Sequence, residues 1–363
     1  MQALTIPLDA VVRANAHHSI TFQDSAAAGI VAISKGNSGE APQSLNLQEV
    51  GILTALRLPR ALPRALAAQV AHPEQVLARL VLAGLLEVKR GDRFVSGITA
   101  FERETTASVP EDLDESRRVS ELALSYAVAA RHLPVAMLAD RLYAFNTLPR
   151  SPSAKQDPED SFRKLTGIDL GTPCPEIGGR AWNVTFHPSW VYFGLGAASG
   201  NRFKVYLCPR PEDAHAVIPA FAQILSGSSG AIFKIAYPAG SLVRPDKIVT
   251  YLSSFEDLAA TLSLLVHSVP AARAQTVPFS APVPGSSLFS WGVDPPGGGD
   301  RVARSWRSWL THQIAETAHE VPKAAKSDEA FEHLRAALLL KDIDPYTWLP
   351  RQQMLAQKWR IQL

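Results

Sequence analysis

The sequence predicts an α+β protein: an N-terminal winged-helix-like helical unit, then an α+β domain with a mainly antiparallel sheet, then a helical C-terminal tail. Apolar residues recur at helical spacing before residue 150, which is typical of amphipathic helices. Short β-rich runs separated by Gly and Pro follow, and a helical pattern returns after residue 322. Runs of strands next to runs of helices favour the α+β class.

The first unit reads as three helices and a hairpin. Residues 45–57 and 63–71 carry apolar residues at helical spacing, and a third helix begins at Pro73. "KRGDRFVSG" follows, where Gly91 and Asp92 are suited to the turn between two short strands. This order is that of a winged helix.

A winged helix can enter DNA, but the third helix offers only Arg79 as a cation. The sequence therefore favours protein or peptide docking, or simple scaffolding, over DNA binding.

Composition shifts define the predicted domains. "PRSPSAKQDPED", residues 149–160, is polar and rich in proline, as linkers are. We predict a docking domain over 1–110, a helical connector over 111–150, an α+β domain over 160–320 and a helical tail over 321–363.

The β-rich part alternates strands with two helices. The predicted strands lie in "AWNVTFHPSWVYFGLG", "RFKVYLCP", "AIFKIAYP" and "DKIVTYLSS". Two helices are expected in "PEDAHAVIPAFAQILSG" and "SFEDLAATLSLLVHSV", the second with Ser254 as its N-cap and Asp257 three residues later.

The charge and the cysteine content argue against several classes of function and compartment. The net charge is +2, which argues against a dedicated nucleic-acid binder. Cys174 and Cys208 form no metal or redox spacing, and two cysteines in 363 residues suggest a reducing compartment. No secretion signal and no run of about 18 apolar residues is present, so we expect a cytoplasmic protein without membrane partners.

Cofactor motifs are missing from the sequence. It contains no Walker loop, dinucleotide glycine fingerprint, HExxH or GxSxG. A metal site would have to be assembled from residues whose spacing does not favour one: His187, His215, His267, Asp213 and Asp294. We expect neither a cofactor nor a metal.

Cations recur beside apolar strand positions. In "RFKVYL", Arg202, Lys204 and Tyr206 alternate with apolar residues, so they share one face of a strand. If neighbouring strands add Lys234, and Arg244 or Lys247, the face can hold a dianion. The plain alternative is a solvent-facing sheet with ordinary cations.

Lys234 is the exception to that alternative. "AIF" and "IAY" flank it, and an ammonium among apolar residues tends to lose its proton. A lysine with a lowered pKa is a usable general base.

From residue 200 to 315, "RFKVYLCPRPEDA", "FKIAYP", "RPDKIVTYL", "TVPFSAPVPGSSLFSWGVDPP" and "SWRSWLTHQIAETA" resemble the HopA-type bacterial effector family. That family includes HopA-like proteins of ribosomal-peptide pathways such as lanthipeptides and thioamitides. It is similar in turn to phosphothreonine lyases, which eliminate phosphate from a phosphorylated side chain and leave a dehydroamino acid.

The resemblance implies site residues. The lysine of the lyase "FK" strand is the base and falls on Lys234, while the lyase Lys-Phe-His motif is replaced by Arg202-Phe203-Lys204, which removes the histidine acid. Lys204, Tyr206 or His187 is left to protonate the leaving group. The residues expected to bind phosphate are Arg202, Arg244, Lys247, Tyr251 and Arg307. Asp246 either holds Lys247 or Arg244 in place or forms a turn after Pro245.

The resemblance therefore implies a carbon–oxygen lyase acting on phosphoserine or phosphothreonine in a precursor peptide. A separate Ser/Thr kinase-like partner, in a complex or not, supplies the substrate, because the chain has no kinase motif. The N-terminal unit would dock the leader peptide or the kinase. The missing histidine favours an alternative, a non-catalytic pseudo-lyase that binds phosphopeptide or leader peptide. A transcriptional regulator is the third possibility.

Overall fold

The structure is a computed structural model that describes residues 4–15, 18–21, 31–35, 43–101, 115–149, 158–196, 202–227, 231–295, 305–323 and 325–351. The chain divides into two compact units. We call them the N-terminal unit (Met1–Pro110, Val128–His132 and Ile314–Ile343) and the sheet unit (Glu111–Ala127, Leu133–Gln313 and Asp344–Leu363). The four-part division predicted from composition stays a prediction.

The chain is α+β, as predicted. The described helices are α1 (Leu47–Ala55), α2 (Arg64–Ala67), α3 (Pro73–Leu82), α4 (Glu115–Ala129), α5 (Val135–Tyr143), α6 (Pro158–Thr166), α7 (Ala214–Leu225), α8 (Phe255–Ser268), α9 (Trp306–Glu320) and α10 (Ser327–Leu340). The described strands are β1 (Val12–Ala14), β2 (His18–Thr21), β3 (Val31–Lys35), β4 (Gln43–Leu45), β5 (Leu86–Arg90), β6 (Arg93–Val95), β7 (Glu176–Ile177), β8 (Arg180–Ala181), β9 (Asn183–His187), β10 (Trp190–Gly194), β11 (Phe203–Leu207), β12 (Ile232–Ala236), β13 (Ile248–Leu252), β14 (Ala281–Val283) and β15 (Ser286–Val293).

The N-terminal unit has the predicted winged-helix-like order. Helices α1 to α3 precede the β5–β6 hairpin, and β1 pairs with β5 to complete a three-stranded sheet. Asn46 and Glu49 form a capping box at the start of α1, which satisfies backbone N–H groups that a helix leaves unpaired. Gly91 has φ +59 in the hairpin turn, a conformation that glycine adopts without strain. Helix α2 is shorter than its predicted range.

The cation noted on the third helix is engaged within this unit. Arg79 forms an ion pair with the buried carboxylate of Glu49. Burial lowers the pKa of Arg79, although Glu320 acts in the opposite direction.

Two small sheets were not predicted. Strands β2, β3 and β4 form one, and β7 and β8 form a two-stranded ribbon before the main sheet.

The main sheet has seven strands in the order β14-β15-β11-β13-β12-β10-β9, and every neighbouring pair is antiparallel. The run "AWNVTFHPSWVYFGLG", read as one β-rich stretch, is a hairpin of β9 and β10 that turns at Pro188 and Ser189.

One face of the sheet is apolar and covered by helices. Phe221 of α7 packs against Phe233 with ring centroids 5.7 Å apart, and Phe255 of α8 packs against Trp291 at the same separation. Helix α8 begins as predicted, with the Ser254 side chain accepting from the Asp257 N–H at 3.0 Å. The opposite face carries the polar and aromatic residues described below.

Among the described residues, no helix is long and apolar enough to cross a lipid bilayer.

Candidate active site

Strand register brings the sequence-predicted cations to one face. Lys204 on β11 lies opposite Tyr251 on β13, and Lys234 on β12 lies opposite Val249 on β13. On its other side, Lys234 lies opposite Tyr192 on β10. Directly opposed residues of an antiparallel pair project to the same face, so both lysines and both tyrosines share that face.

The Lys234 amine lies close to three aromatic rings. Its Nζ lies 4.0 Å from the ring centroid of Trp190, 5.6 Å from that of Tyr192 and 5.5 Å from that of Tyr251. Burial lowers the pKa of Lys234 to about 8, Asp246 opposes that change, and Lys204 and Arg244 add to it. The residue is partly buried and not fully enclosed.

Arg244 is held in one orientation by two side chains. Its Nε donates to Asp246 Oδ1 at 2.6 Å, and its Nη2 donates to Asp246 Oδ2 at 3.1 Å and to the Tyr143 hydroxyl at 3.0 Å. Its guanidinium carbon lies 4.6 Å from the ring centroid of Trp190. Within the part of the chain that the structure describes, Nη1 has no acceptor, so a pre-oriented donor is left for an anion.

Asp246 is the buried anion of the site. Burial raises its pKa, but Arg307 and Arg244, with the hydrogen bonds from Arg244 and Tyr143, outweigh burial and lower it to about 2. Tyr143 donates to Asp246 Oδ2 at 2.8 Å. Asp246 therefore orients Arg244, one of the two roles that the sequence left open, and it contacts Arg307 rather than Lys247.

Lys204 is buried and already has an ionic partner. Its ammonium pairs with Asp294, whose side chain is 45% exposed. Lys204 Nζ also lies 5.9 Å from the ring centroid of Tyr251, on the other side of that ring's strand from Lys234. An anion entering from solvent can compete with the exposed carboxylate for this ammonium.

The tyrosines differ in access. Tyr251 and Tyr192 are partly buried, and burial is the main cause that raises the pKa of each. Tyr206 is fully enclosed among Cys208, Val249 and Val277, and burial raises its pKa strongly. Tyr206 is thus buried behind the site and is not placed to contact a ligand.

His187 lies at the border of the site. It is exposed at the end of β9, opposite Trp190, and its ring packs against Tyr192 with centroids 4.8 Å apart. It is two strands away from β12, which carries Lys234.

Lys247 is not brought to the site. It is fully buried and donates to Pro209 O at 2.7 Å, to Gln275 Oε1 at 2.5 Å and to Cys208 Sγ at 3.5 Å. Burial lowers its pKa. With its donors occupied and no exposed surface, Lys247 is structural, contrary to the expectation that it binds phosphate.

Arg307 is likewise structural in this geometry. It is 1% exposed, lies 3.0 Å from Asp246 Oδ2, and donates to Pro278 O and to Tyr143 O. It neutralises the carboxylate that orients Arg244. Arg202, by contrast, is exposed beside the face, with its guanidinium carbon 5.9 Å from the Phe203 ring centroid.

Sequence reasoning missed Trp190, Tyr192 and Tyr143. Trp190 and Tyr192 alternate with Val191 and Phe193 along the strand. This alternation predicts Trp190 and Tyr192 on one face of the sheet and Val191 and Phe193 on the other. Tyr143 carried no signal, because it reaches the site from α5 through contacts about a hundred residues distant in sequence.

No group of three or more His, Cys, Asp or Glu side chains within the described ranges is arranged to hold a metal ion. The site contains an amine of lowered pKa, two further cations and hydroxyl groups. This arrangement can abstract a proton and bind an anionic group.

Comparison with known proteins is uninformative at the sequence level: no family model and no curated protein matches the chain. Two solved structures are distantly similar to it, the effector proteins from Pseudomonas syringae pv. syringae strain 61 and Pseudomonas syringae pv. tomato strain DC3000. They are 10% and 12% identical to this chain, and each alignment covers 65% of this chain and 98% of the effector, with a TM-score of 0.39. These two distant structural neighbours are both effector proteins of Pseudomonas syringae.

Proposed function

We propose that the protein eliminates phosphate from phosphoserine or phosphothreonine in a peptide, leaving a dehydroamino acid. The observation that carries the proposal is Lys234, a partly buried lysine whose pKa is lowered to about 8 beside two cationic side chains, Lys204 and Arg244. A base near neutrality and a cationic anion site are two of the three requirements of this elimination, the third being a proton donor for the leaving oxygen.

In the proposed reaction, neutral Lys234 takes the Cα proton and becomes an ammonium. The Cα–H electron pair forms the Cα–Cβ double bond, and the Cβ–O bond breaks with its electrons leaving on phosphate. Nη1 of Arg244 and the ammonium of Lys204 bind the phosphate oxygens, the latter after exchange of Asp294 for phosphate. Lys204 is also the group that supplies a proton to the bridging oxygen.

The alternative is a non-catalytic protein that binds phosphopeptide or leader peptide. The observation that favours it is the state of the candidate acids: Lys204 is paired with Asp294, Tyr206 is enclosed, and His187 lies two strands from Lys234. No histidine occupies the acid position of the lyases.

The wider setting is part of the proposal. The resemblance to the HopA-type family supports a role in ribosomal-peptide biosynthesis of the lanthipeptide or thioamitide type, in the cytoplasm. A separate kinase-like protein phosphorylates the precursor, and the N-terminal unit docks the leader peptide or that kinase. Neither a nucleic acid nor a membrane is a proposed partner.

Mass spectrometry of a phosphothreonine peptide library incubated with the protein tests elimination directly. Loss of the elements of phosphoric acid with the wild type, its absence with Lys234→Met, and its retention with Lys164→Met would support the lyase. Lys164 is a suitable control because its side chain is 61% exposed on α6. Unchanged peptides that nevertheless bind both wild type and Lys234→Met would reject the lyase and leave the binding protein.

A further inference from the structure

Strand β9 forms one edge of the main sheet. It pairs with β10 on one side, and among the residues described no strand pairs with its other side. Alternate residues of such a strand direct their N–H and C=O groups outwards, which is the template that an added strand uses.

The hydrogen bonds identify which residues face outwards. Tyr237 N donates to Ser189 O at 3.0 Å and Leu195 N donates to Ala231 O at 3.0 Å, so the odd-numbered residues of β10 bond towards β12. The even-numbered residues of β10 therefore bond to β9, through its residues 183, 185 and 187. Val184 and Phe186 are left with outward N–H and C=O groups.

This edge lacks the features that normally protect an edge strand. The sequence of β9, "NVTFH", contains no Lys, Asp, Glu or Pro, and only Val184 is partly buried. Phe186 is a large apolar side chain that is 52% exposed. Its ring leans on Tyr237 with centroids 5.9 Å apart, which makes an apolar patch beside the open backbone.

We propose that an extended segment of the substrate peptide binds β9 as an added antiparallel or parallel strand. The inference rests on the proposed function and names how that substrate is held. Backbone hydrogen bonds from Val184 and Phe186 supply affinity, and Phe186 selects an apolar side chain on the helix-covered face of the sheet.

The occupant is a peptide rather than a second copy of this chain because of what lies next to the edge. His187 at the end of β9 is opposite Trp190, and that indole contacts both Lys234 and Arg244. The edge and the cationic site are thus continuous on one side of the sheet. A phosphorylated peptide supplies an anion for Lys234 and for Nη1 of Arg244, whereas β9 of a second copy carries no anionic side chain.

Strand spacing sets the length of the peptide. Lys234 lies two strands inside β9, so an added strand is about 14 Å from it at ~4.8 Å per strand. An extended chain covers that distance in about four residues. The segment on β9 is therefore a flank, and the phosphorylated residue lies about four residues beyond it.

Binding to Lys234→Met protein, which removes turnover, provides the test. The probes are a phosphothreonine peptide library with eight randomised residues on each side, individual peptides selected from it, and N-acetyl-phosphothreonine amide. Phe186→Pro removes one outward N–H without touching the β9–β10 bonds, and Phe186→Ala removes only the ring. We expect Phe186→Pro to weaken long-peptide binding by about tenfold or more, Phe186→Ala to weaken it less, and neither to change affinity for the short probe.

Equal affinities of wild type and Phe186→Pro for the long peptides would overturn the inference, as would an equal loss for long and short probes. Loss of a dimer in Phe186→Pro, seen by sedimentation, would assign the edge to a second copy instead. If Phe186→Pro does not fold, N-methylation of alternate peptide amides tests the same hydrogen bonds on unchanged protein. Unphosphorylated library peptides test the edge alone: Phe186-dependent binding of these peptides supports it, and no binding of any peptide rejects it. Elimination is scored separately with wild-type protein and the phosphorylated library, so Phe186-dependent binding without loss of phosphate from that library supports the edge and rejects the lyase.

Discussion

Lys234 and Arg244 share one aromatic ring, that of Trp190. Lys234 Nζ lies 4.0 Å from its centroid and the guanidinium carbon of Arg244 lies 4.6 Å from it. The proposed base and the proposed anion binder thus contact the same indole, which β10 presents. The predictions below follow from this cluster and from the buried charges behind it.

Replacing Trp190 will change the protonation of Lys234. Burial is the main cause of its lowered pKa, so Trp190→Ala is expected to raise that pKa and Trp190→Phe to raise it less. NMR of ¹³C-methylated lysines measures the effect without any substrate. Trp309→Phe, on α9, is the control and should leave the Lys234 resonance unmoved.

The pH dependence of turnover should follow Lys234. A general base acts when neutral, so activity should rise with pH, reach half its maximum near pH 8 and level off above that. Lys204 lowers the pKa of Lys234, so Lys204→Met should move the rise to higher pH as well as reduce the maximum. A rate that falls across this range, or a profile unmoved in Lys204→Met, would contradict Lys234 as the base.

Burial of the charged Lys234 ammonium should also lower the free energy of unfolding. Its pKa is lowered from 10.5 to about 8 in the folded protein, so the unfolded chain binds more protons between these values. Stability therefore rises with pH from about 8 to 10.5. Lys234→Met should abolish that rise and should be more stable at pH 7 by about 1 kcal/mol, as measured by urea unfolding. Lower stability of Lys234→Met at pH 7 would show that the aromatic contacts outweigh burial.

Asp246→Asn should be strongly destabilising. The change leaves Arg307, 1% exposed, and Arg244 without their carboxylate. Removing one partner of a buried ion pair typically costs about 3–5 kcal/mol. The pKa of Asp246 is lowered from 3.8 to about 2, so its contribution is present above pH 3.8 and is lost as pH falls through about 2. Urea unfolding should show this acid loss in the wild type and in Asp160→Asn, whose side chain is partly exposed, but not in Asp246→Asn.

Lys247→Met should lower the stability of the fold without changing phosphopeptide affinity. It leaves the Pro209 carbonyl and Gln275 Oε1 without their donor, at a cost of about 1–3 kcal/mol for a buried unpaired group. Phosphopeptide affinity should be unchanged, because Lys247 has no exposed surface. Arg244→Met is the comparison: it should weaken phosphopeptide binding through the loss of Nη1. Equal losses of affinity in both variants would place Lys247 in the site.

Much of the architecture was predictable because its signals are local. The alternation in "RFKVYL" placed Lys204 and Tyr206 on one face, and the structure confirms that pairing through Tyr251 and Val249. The helix cap at Ser254 and the hairpin turn at Gly91 also depend on neighbouring residues alone.

The lysines show where local signals end. Lys234 and Lys247 both stand at β-rich apolar runs, and the sequence assigned both to the site. The environments of the two ammonium groups differ because their contacts come from distant parts of the chain. Lys247 donates to Pro209 and Gln275, while Lys234 contacts Trp190. Strand order decides these encounters.

By itself, the sequence determined the α+β class, the helix caps and which strand residues share a face, since each follows from spacing along the chain. Only the tertiary structure decided three features of the site. Trp190 contacts both Lys234 and Arg244, Asp294 forms an ion pair with Lys204, and Lys247 and Arg307 are buried. The physical reason is that burial and charge pairing are set by side chains that strand order and helix packing bring together from distant parts of the chain.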